Sequence, residues 1–297
     1  MSTSITTAFV NLYNEDFKHV YQRGGGILRQ TCRTKDNVIG LTAYFNRIGK
    51  GTATTKARHG VITPMNQTHD APSVTLVDFF AGDWVDRLDE AKVNMDERLA
   101  LAEGGARALG RKVDDQIITA LDATTQATIT WTVTSKAAIR NALLSMVQAL
   151  DALDVPNDGL RYGALTSKQW AFAMCVDQFQ SADWVAARPY ETGAPILSFK
   201  NYLGIKWCVH TGLPNAGVAG AKPFVWHRDA VGYASGKTPN NVAAFSGVPT
   251  QVMADITWHG DRFAHFINHC MSGGALLIDD TGVIEGSVDD SAALPTS

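Results

Sequence analysis

The chain has 297 residues, 45% of them hydrophobic and 19% charged, which suits one large core or two modest ones and excludes a disordered or fibrous protein. A net charge of -3 argues against a sequence-specific reader of DNA. No apolar run approaches the roughly 20 residues of a membrane helix, and residues 1–7 show neither the basic nor the apolar region of a secretory signal.

The chain is therefore expected to stay in the cytoplasm where it is made. Its first element is at residues 7–22, where Val10, Tyr13, Phe17 and Tyr21 give one apolar stripe on a short helix. Gly24, Gly25 and Gly26 end it, because three glycines cost too much backbone entropy for a helix to continue. Such a helix cannot bury its stripe alone, so it is expected to dock on the body or on a neighbouring copy.

Residues 38–45 are β-rich, and 61–65 and 74–77 read as further strands. The stretch 49–60 between them is polar and glycine-rich, with Lys50, Lys56 and Arg58. The pattern predicts a long hairpin whose tip is poor in apolar residues and projects from the body. Beyond it, Leu99, Ala102, Ala106, Leu109, Val113, Ile117 and Leu121 step by three or four, which predicts a helix over about 91–122. At 1.5 Å per residue it would be about 45 Å long. Gly104, Gly105 and Gly110 inside it each cost about 1 kcal/mol relative to alanine, so they mark close contacts or a bend.

A second helix should start at Ser135 as N-cap and run through Ile139, Leu143, Met146, Val147 and Leu150. The turn sequence Pro156-Asn157-Asp158-Gly159 stops it. A third is expected from Ser167 through Trp170, Met174 and Val176. Strands follow at 205–209, 223–227, 252–258 and 263–271, the last two joined by the hairpin signal His259-Gly260-Asp261. Residues 275–278 and 282–284 close the fold, and 289–297 read as a loose acidic tail.

Charge is unevenly spread. Residues 1–60 carry Lys18, Arg23, Arg29, Arg33, Lys35, Arg47, Lys50, Lys56 and Arg58 against Glu15, Asp16 and Asp36. Acids then dominate from Asp70 to Asp122, with Asp89, Glu90, Asp96 and Glu97 clustered. That order suits head-to-tail attraction between copies; ordinary solvated faces are the plainer alternative.

Sets for chemistry are weak. His259, His265, His269 and Cys270 are the best metal candidates, but on a strand His265 and His269 stand about 13 Å apart, too far to share a zinc ion. Cys208, His210 and Asp229 could form a nucleophile-base-acid set, yet no GxSxG elbow surrounds a nucleophile. No phosphate-binding loop is present and no cofactor is expected. Cys32, Cys175, Cys208 and Cys270 form no CxxC pair and read as free thiols. The scattered tryptophans read as core or interface packing.

The order of parts carries a resemblance: tethered arm, projecting hairpin, acidic strand leading to a long helix, mixed body, returning strands. It resembles the major capsid proteins of tailed bacteriophages, the Hong Kong 97-like fold, especially those of short-tailed phages. Locally, Phe224-Val225-Trp226-His227-Arg228-Asp229-Ala230-Val231-Gly232 is similar to the family's F-H-[KR]-[DE]-A stretch. Leu213-Pro214-Asn215 is similar to its N-x-L-P loop, although Thr211 and Gly212 precede the Leu-Pro here.

The resemblance implies an α+β chain with an N-terminal arm (1–35), an extended hairpin loop (36–77) and a peripheral domain with a spine helix (78–134). An axial domain (135–250) follows, then returning strands and tail (251–297). It implies a structural protein, not an enzyme, without metal or cofactor, that forms hexamers and pentamers of an icosahedral head. Packaged double-stranded DNA, held without sequence specificity, a separate scaffolding protein, a portal protein and a decoration or cement protein are the implied partners. Extended loops in the family cross a neighbour's spine region, so Lys50, Lys56 and Arg58 would meet Asp89, Glu90, Asp96 and Glu97 of the next copy. Gly104 and Gly105 would be the bend used in maturation. The alternatives are an encapsulin-like compartment of the same fold, a hydrolase using His265, His269 or Cys208, and a tail-tube or decoration protein, which is usually shorter.

Overall fold

The structure is a computed structural model that describes residues 25–87, 97–177, 199–237 and 253–295. The helix expected at 7–22 lies outside the described residues, as do Asp89, Glu90 and Asp96. The long helix α1 (Glu97–Leu121) is present. Ala106, Leu109, Val113, Ile117 and Leu121 are buried along it, as their spacing requires.

That face rests on a five-stranded sheet built around β15 (Ala264–Leu277). One edge of β15 pairs antiparallel with β6 (Val77–Asp86). The other pairs with β14 (Met253–His259) and then β13 (Val231–Gly236). β1 (Arg33–Val38) continues the sheet, parallel to β13. Two strand expectations change here. β6 runs on through Asp78, Asp83 and Asp86, poor strand formers, because its alternate residues Phe79, Ala81 and Val85 turn toward the core. The segments expected at 263–271 and 275–278 are one strand, because Gly273 and Gly274 admit Tyr233 and Val74 where side chains would clash.

A second sheet forms from β7 (Ile129–Thr130), β8 (Arg161–Leu165), β9 (Lys200–Tyr202), β10 (Ile205–Val209), β11 (Ala219–Ala221), β12 (Phe224–His227) and β16 (Val283–Asp289). The order is β11-β16-β12-β8-β10-β9, with β7 also on β16. β8 is buried along its whole length because both its faces meet core. Helix α2 (Lys136–Ala152) is capped by Ser135, whose Oγ accepts from the Ala138 N–H at 3.2 Å. Helix α3 (Ser167–Met174) starts at Ser167 as expected, with Thr166 as its cap and Gln169 completing a capping box. It stops at Met174, short of Val176. The tail is not loose from 289: Asp290 is buried and accepts from the Thr166 hydroxyl at 2.6 Å and the Gly217 N–H at 3.2 Å.

The arm enters across α1. A Cβ on Gly25 would overlap the backbone of Gly110 and Arg111, so the two glycines allow backbone to lie on backbone. One helical turn on, the Leu28 N–H donates to Asp114 Oδ1 at 3.0 Å, and Leu28 itself is fully buried. The Trp226 indole N–H then donates to the Thr31 carbonyl at 3.2 Å. Gly25→Ala is expected to displace this crossing and to lower stability by roughly 1–3 kcal/mol. Urea unfolding checks it; an unchanged midpoint contradicts the crossing.

Candidate assembly surfaces

The hairpin divides into a docked root and a free tip. In the root, β2 (Thr42–Tyr44) pairs antiparallel with β5 (Ser73–Thr75), and β3 (Arg47–Ile48) with β4 (His69–Asp70). Ala43, Phe45 and Leu76 are buried against Ala234 and Ile278 of the body. Arg47 pins the same junction, donating from Nη1 to the Ile278 carbonyl at 2.7 Å and from Nε to Asp70 at 3.1 Å.

Residues 49–68 form the tip, and they are almost wholly exposed. The strand expected at 61–65 does not form. Pro64 removes a ladder donor, and the facing glycine-rich stretch offers few side chains to pack. The apolar residues of that failed strand stand in solvent instead: Val61 is 91% exposed, Ile62 71% and Met65 51%. The tip is thus richer in apolar surface than the sequence reading allowed. Its charge is of one sign, since residues 49–68 contain Lys50, Lys56 and Arg58 and no aspartate or glutamate.

Lys50, Lys56 and Arg58 are each exposed on the tip. Lys50 Nζ bonds Asp154, just past α2 in the same chain, and holds that carboxyl below its ordinary value. Glu97 lies in the first turn of α1. Gly104 and Gly105 lie inside α1, and Gly105 has a packing role: a Cβ there would stand 2.5 Å from His269 Nδ1.

A further surface had no signal in the sequence reading, which ended the strand at residue 77. On the face of the first sheet away from α1, Trp84 lies tilted against Phe266 with centroids 4.6 Å apart and meets His259 edge-on at 5.1 Å. The Arg262 guanidinium lies 4.5 Å over Trp84. Phe80, on the same face of β6 about 13 Å along the strand, is 69% exposed. Asp78 shares the face by strand alternation.

The chemical sets do not assemble. His265 and His269 lie on the strand as expected, and among the described residues no three metal-ligating side chains converge. Burial pushes the Cys208 thiol up to about 12, far from a reactive thiolate. His210 is occupied by Asp114 and the Gly212 N–H, while Asp229 sits exposed after β12 and bonds His227 through its backbone N–H.

A sequence model of the family described as phage capsid protein matches residues 5–290. The chain belongs to the phage capsid protein family. Solved structures agree in fold. The capsid of cyanophage P-SCSP1u matches with a TM-score of 0.70 at 14% identity, covering 97% of this chain and 95% of that one. Mycobacterium phage Che8 gives 0.64 at 16%, covering 95% and 100%. The capsid of a native GTA particle gives 0.67 at 13%, covering 97% and 99%. No curated protein sequence matches.

The capsid protein is accordingly a structural shell subunit, the major capsid protein of a tailed phage, with the Hong Kong 97-like fold. The family match does not favour the encapsulin-like or hydrolase readings. For Gly105→Ala in this capsid protein, a methyl group pressed on the His269 ring should lower the unfolding free energy of the unassembled subunit by roughly 1–3 kcal/mol. A variant as stable as the parent in chemical denaturation would contradict close packing of α1 on β15.

Proposed function

We propose that this capsid protein assembles into hexamers and pentamers of an icosahedral head around double-stranded DNA, and that arm and hairpin tip fasten each copy to the next. One observation carries the reading: the tip at 49–68 is almost wholly exposed, tied to the rest of its chain through the exposed Lys50–Asp154 pair, and displays Val61, Ile62 and Met65 with an unbroken positive charge. Exposed apolar clusters of this kind mark an interface. The acidic segment containing Asp89, Glu90, Asp96 and Glu97 on a neighbouring copy is the complementary partner for Lys50, Lys56 and Arg58.

Burying the three apolar side chains would stabilise the contact by roughly 1.5–3 kcal/mol each. Exposed ion pairs are individually weaker and fade with salt. Charge therefore guides the tip to its place and apolar burial holds it there. Assembly takes place in the host bacterial cytoplasm, with a separate scaffolding protein, a portal protein at one vertex and a decoration or cement protein as partners. DNA is enclosed without sequence reading, as the net charge of -3 suits. Gly104 and Gly105 supply a bend in α1 during maturation, with Gly105 moving against His269.

Electron microscopy and light scattering of the purified protein test the clamp. Reversal of Lys50, Lys56 and Arg58 to glutamate should slow assembly at low salt and be partly rescued at high salt. Val61→Ser, Ile62→Ser and Met65→Ser together should lower particle yield at either salt concentration. Normal yield from both triple variants would exclude the tip as a fastening element.

A further inference from the structure

We infer that the aromatic face of the first sheet, on the side away from α1, seats the hairpin tip of a second copy, with Val61 and Ile62 on Phe80 and with Lys56 and Arg58 against Asp78 and Asp255. This rests on the reading of the tip as a fastening element and names the surface it fastens to. The cross-strand rows lay out the seat. On this face Phe80 stands level with Cys270, Gly82 is in the row of Asp255, and Trp84 is level with Phe266. Phe80 and Trp84 by themselves would leave a gap between them. Gly82 lets it be filled: a Cβ there would stand 2.5 Å from the Phe266 ring, so that ring lies over the glycine. Phe80, Phe266 and Trp84 therefore make one apolar stripe about 13 Å long.

Charge along the stripe is uneven. Asp78 is exposed on the same face two residues before Phe80, and the charges of Asp78 and Asp255 both reach Cys270 beside it. At the other end Asp86 is accompanied by the Arg262 guanidinium over Trp84, so negative charge gathers at the Phe80 end. The tip carries the matching order. A turn closed by the Gly60 N–H donating to the Ala57 carbonyl at 2.9 Å puts Arg58 at the apex, with Val61 and Ile62 directly after it. Met65 lies at the opposite end against Gly51, where a Cβ would stand 2.5 Å from its Sδ. Lys50, at that same end, is engaged by Asp154 of its own chain. The cations offered at the apex are thus Lys56 and Arg58, next to the most exposed apolar groups of the tip.

The two surfaces also agree in length. Four residues separate Val61 from Met65 and four separate Phe80 from Trp84, so the drawn-out tip segment spans the stripe. The occupant is a second copy because tip and stripe are both exposed within one subunit. Each offers what the other lacks: aliphatic groups with cations on the tip, aromatic rings with carboxylates on the sheet. Charge fixes the direction of docking, since a reversed tip would bring Arg58 to Arg262 instead of Asp78. The guanidinium of Arg58 gains further from the face of the Phe80 ring. A copy that gives its tip and receives another's makes a head-to-tail contact, which closes into a ring when the rotation between copies allows.

A cross-link tests the seat, because Cys270 stands beside Phe80 in the native chain. The full-length Ile62→Cys variant is assembled into particles and treated with a short bis-maleimide. Particles should give a ladder of linked subunits, several-fold above that of dilute single subunits, with mass spectrometry finding residue 62 joined to residue 270. Adding Cys270→Ser should abolish that link. Val61→Cys takes the place of Ile62→Cys if the latter does not assemble. Particles in which the introduced thiol links to another site, or to none, overturn the inference. Phe80→Ser, at an exposed position, should keep the parent's unfolding midpoint as a single subunit and lower particle yield several-fold; parental yield overturns the inference as well. If the seat fails while the tip variants still lower yield, the clamp stands without this surface. Normal yield from the tip variants removes both.

Discussion

A carboxylate with no exposed surface stands well inside α1, the longest helix among the described residues, and the arm's base and the loop after β10 are placed so as to satisfy it. Asp114 is tolerable only where donors reach both its oxygens, because an unpaired buried charge costs several kcal/mol. The donors come from the Leu28 backbone and from His210. The arm's base and the loop after β10 must therefore both arrive at one face of α1. The Gly25–Gly110 crossing and the Trp226 bond to Thr31 set the angle at which the arm does so. Apolar packing would make this region cohesive; the buried polar bonds make it specific.

The hairpin follows a different logic along its length. Its root is treated as body: Phe45 and Leu76 are buried, and Arg47 bridges to the Ile278 carbonyl. Past Gly49 the backbone leaves the body and the side chains change in kind, with one sign of charge and apolar groups set in water. The contact of Lys50 with Asp154 is the exception, and both partners are highly exposed, so it is easily exchanged for another partner. A subunit built in this way is stable alone in its core and incomplete at its edge.

The sequence showed the elements whose signal is local. Helices α1 and α2 were legible from the spacing of Leu109, Val113, Ile117 and Leu121 and from the Ser135 cap, and the order of parts pointed to the capsid family. What escaped was set by distant partners. β6 was cut short at Val77 because Asp78, Asp83 and Asp86 are poor strand formers, and only pairing with β15 explains their place. Val61, Ile62 and Met65 read as a strand because apolar runs usually find a sheet; here the opposing stretch could not supply one. The Asp114–His210 pair spans 96 residues and leaves no pattern at either end. Gly105 was visible as an anomaly, but what it faces was not.

At 14% identity to a capsid that shares the fold, most residues differ while the overall backbone path is kept. Core packing tolerates that, since any set of apolar residues of suitable total volume fills a space. Close approaches of backbone are less forgiving. Gly25 on Gly110, Gly105 on the His269 ring and Gly163 under the Trp207 ring each leave no room for one carbon atom. These contacts fix how near the arm, the helix and the strands can lie. The path of this chain is thus constrained most tightly where its side chains are smallest.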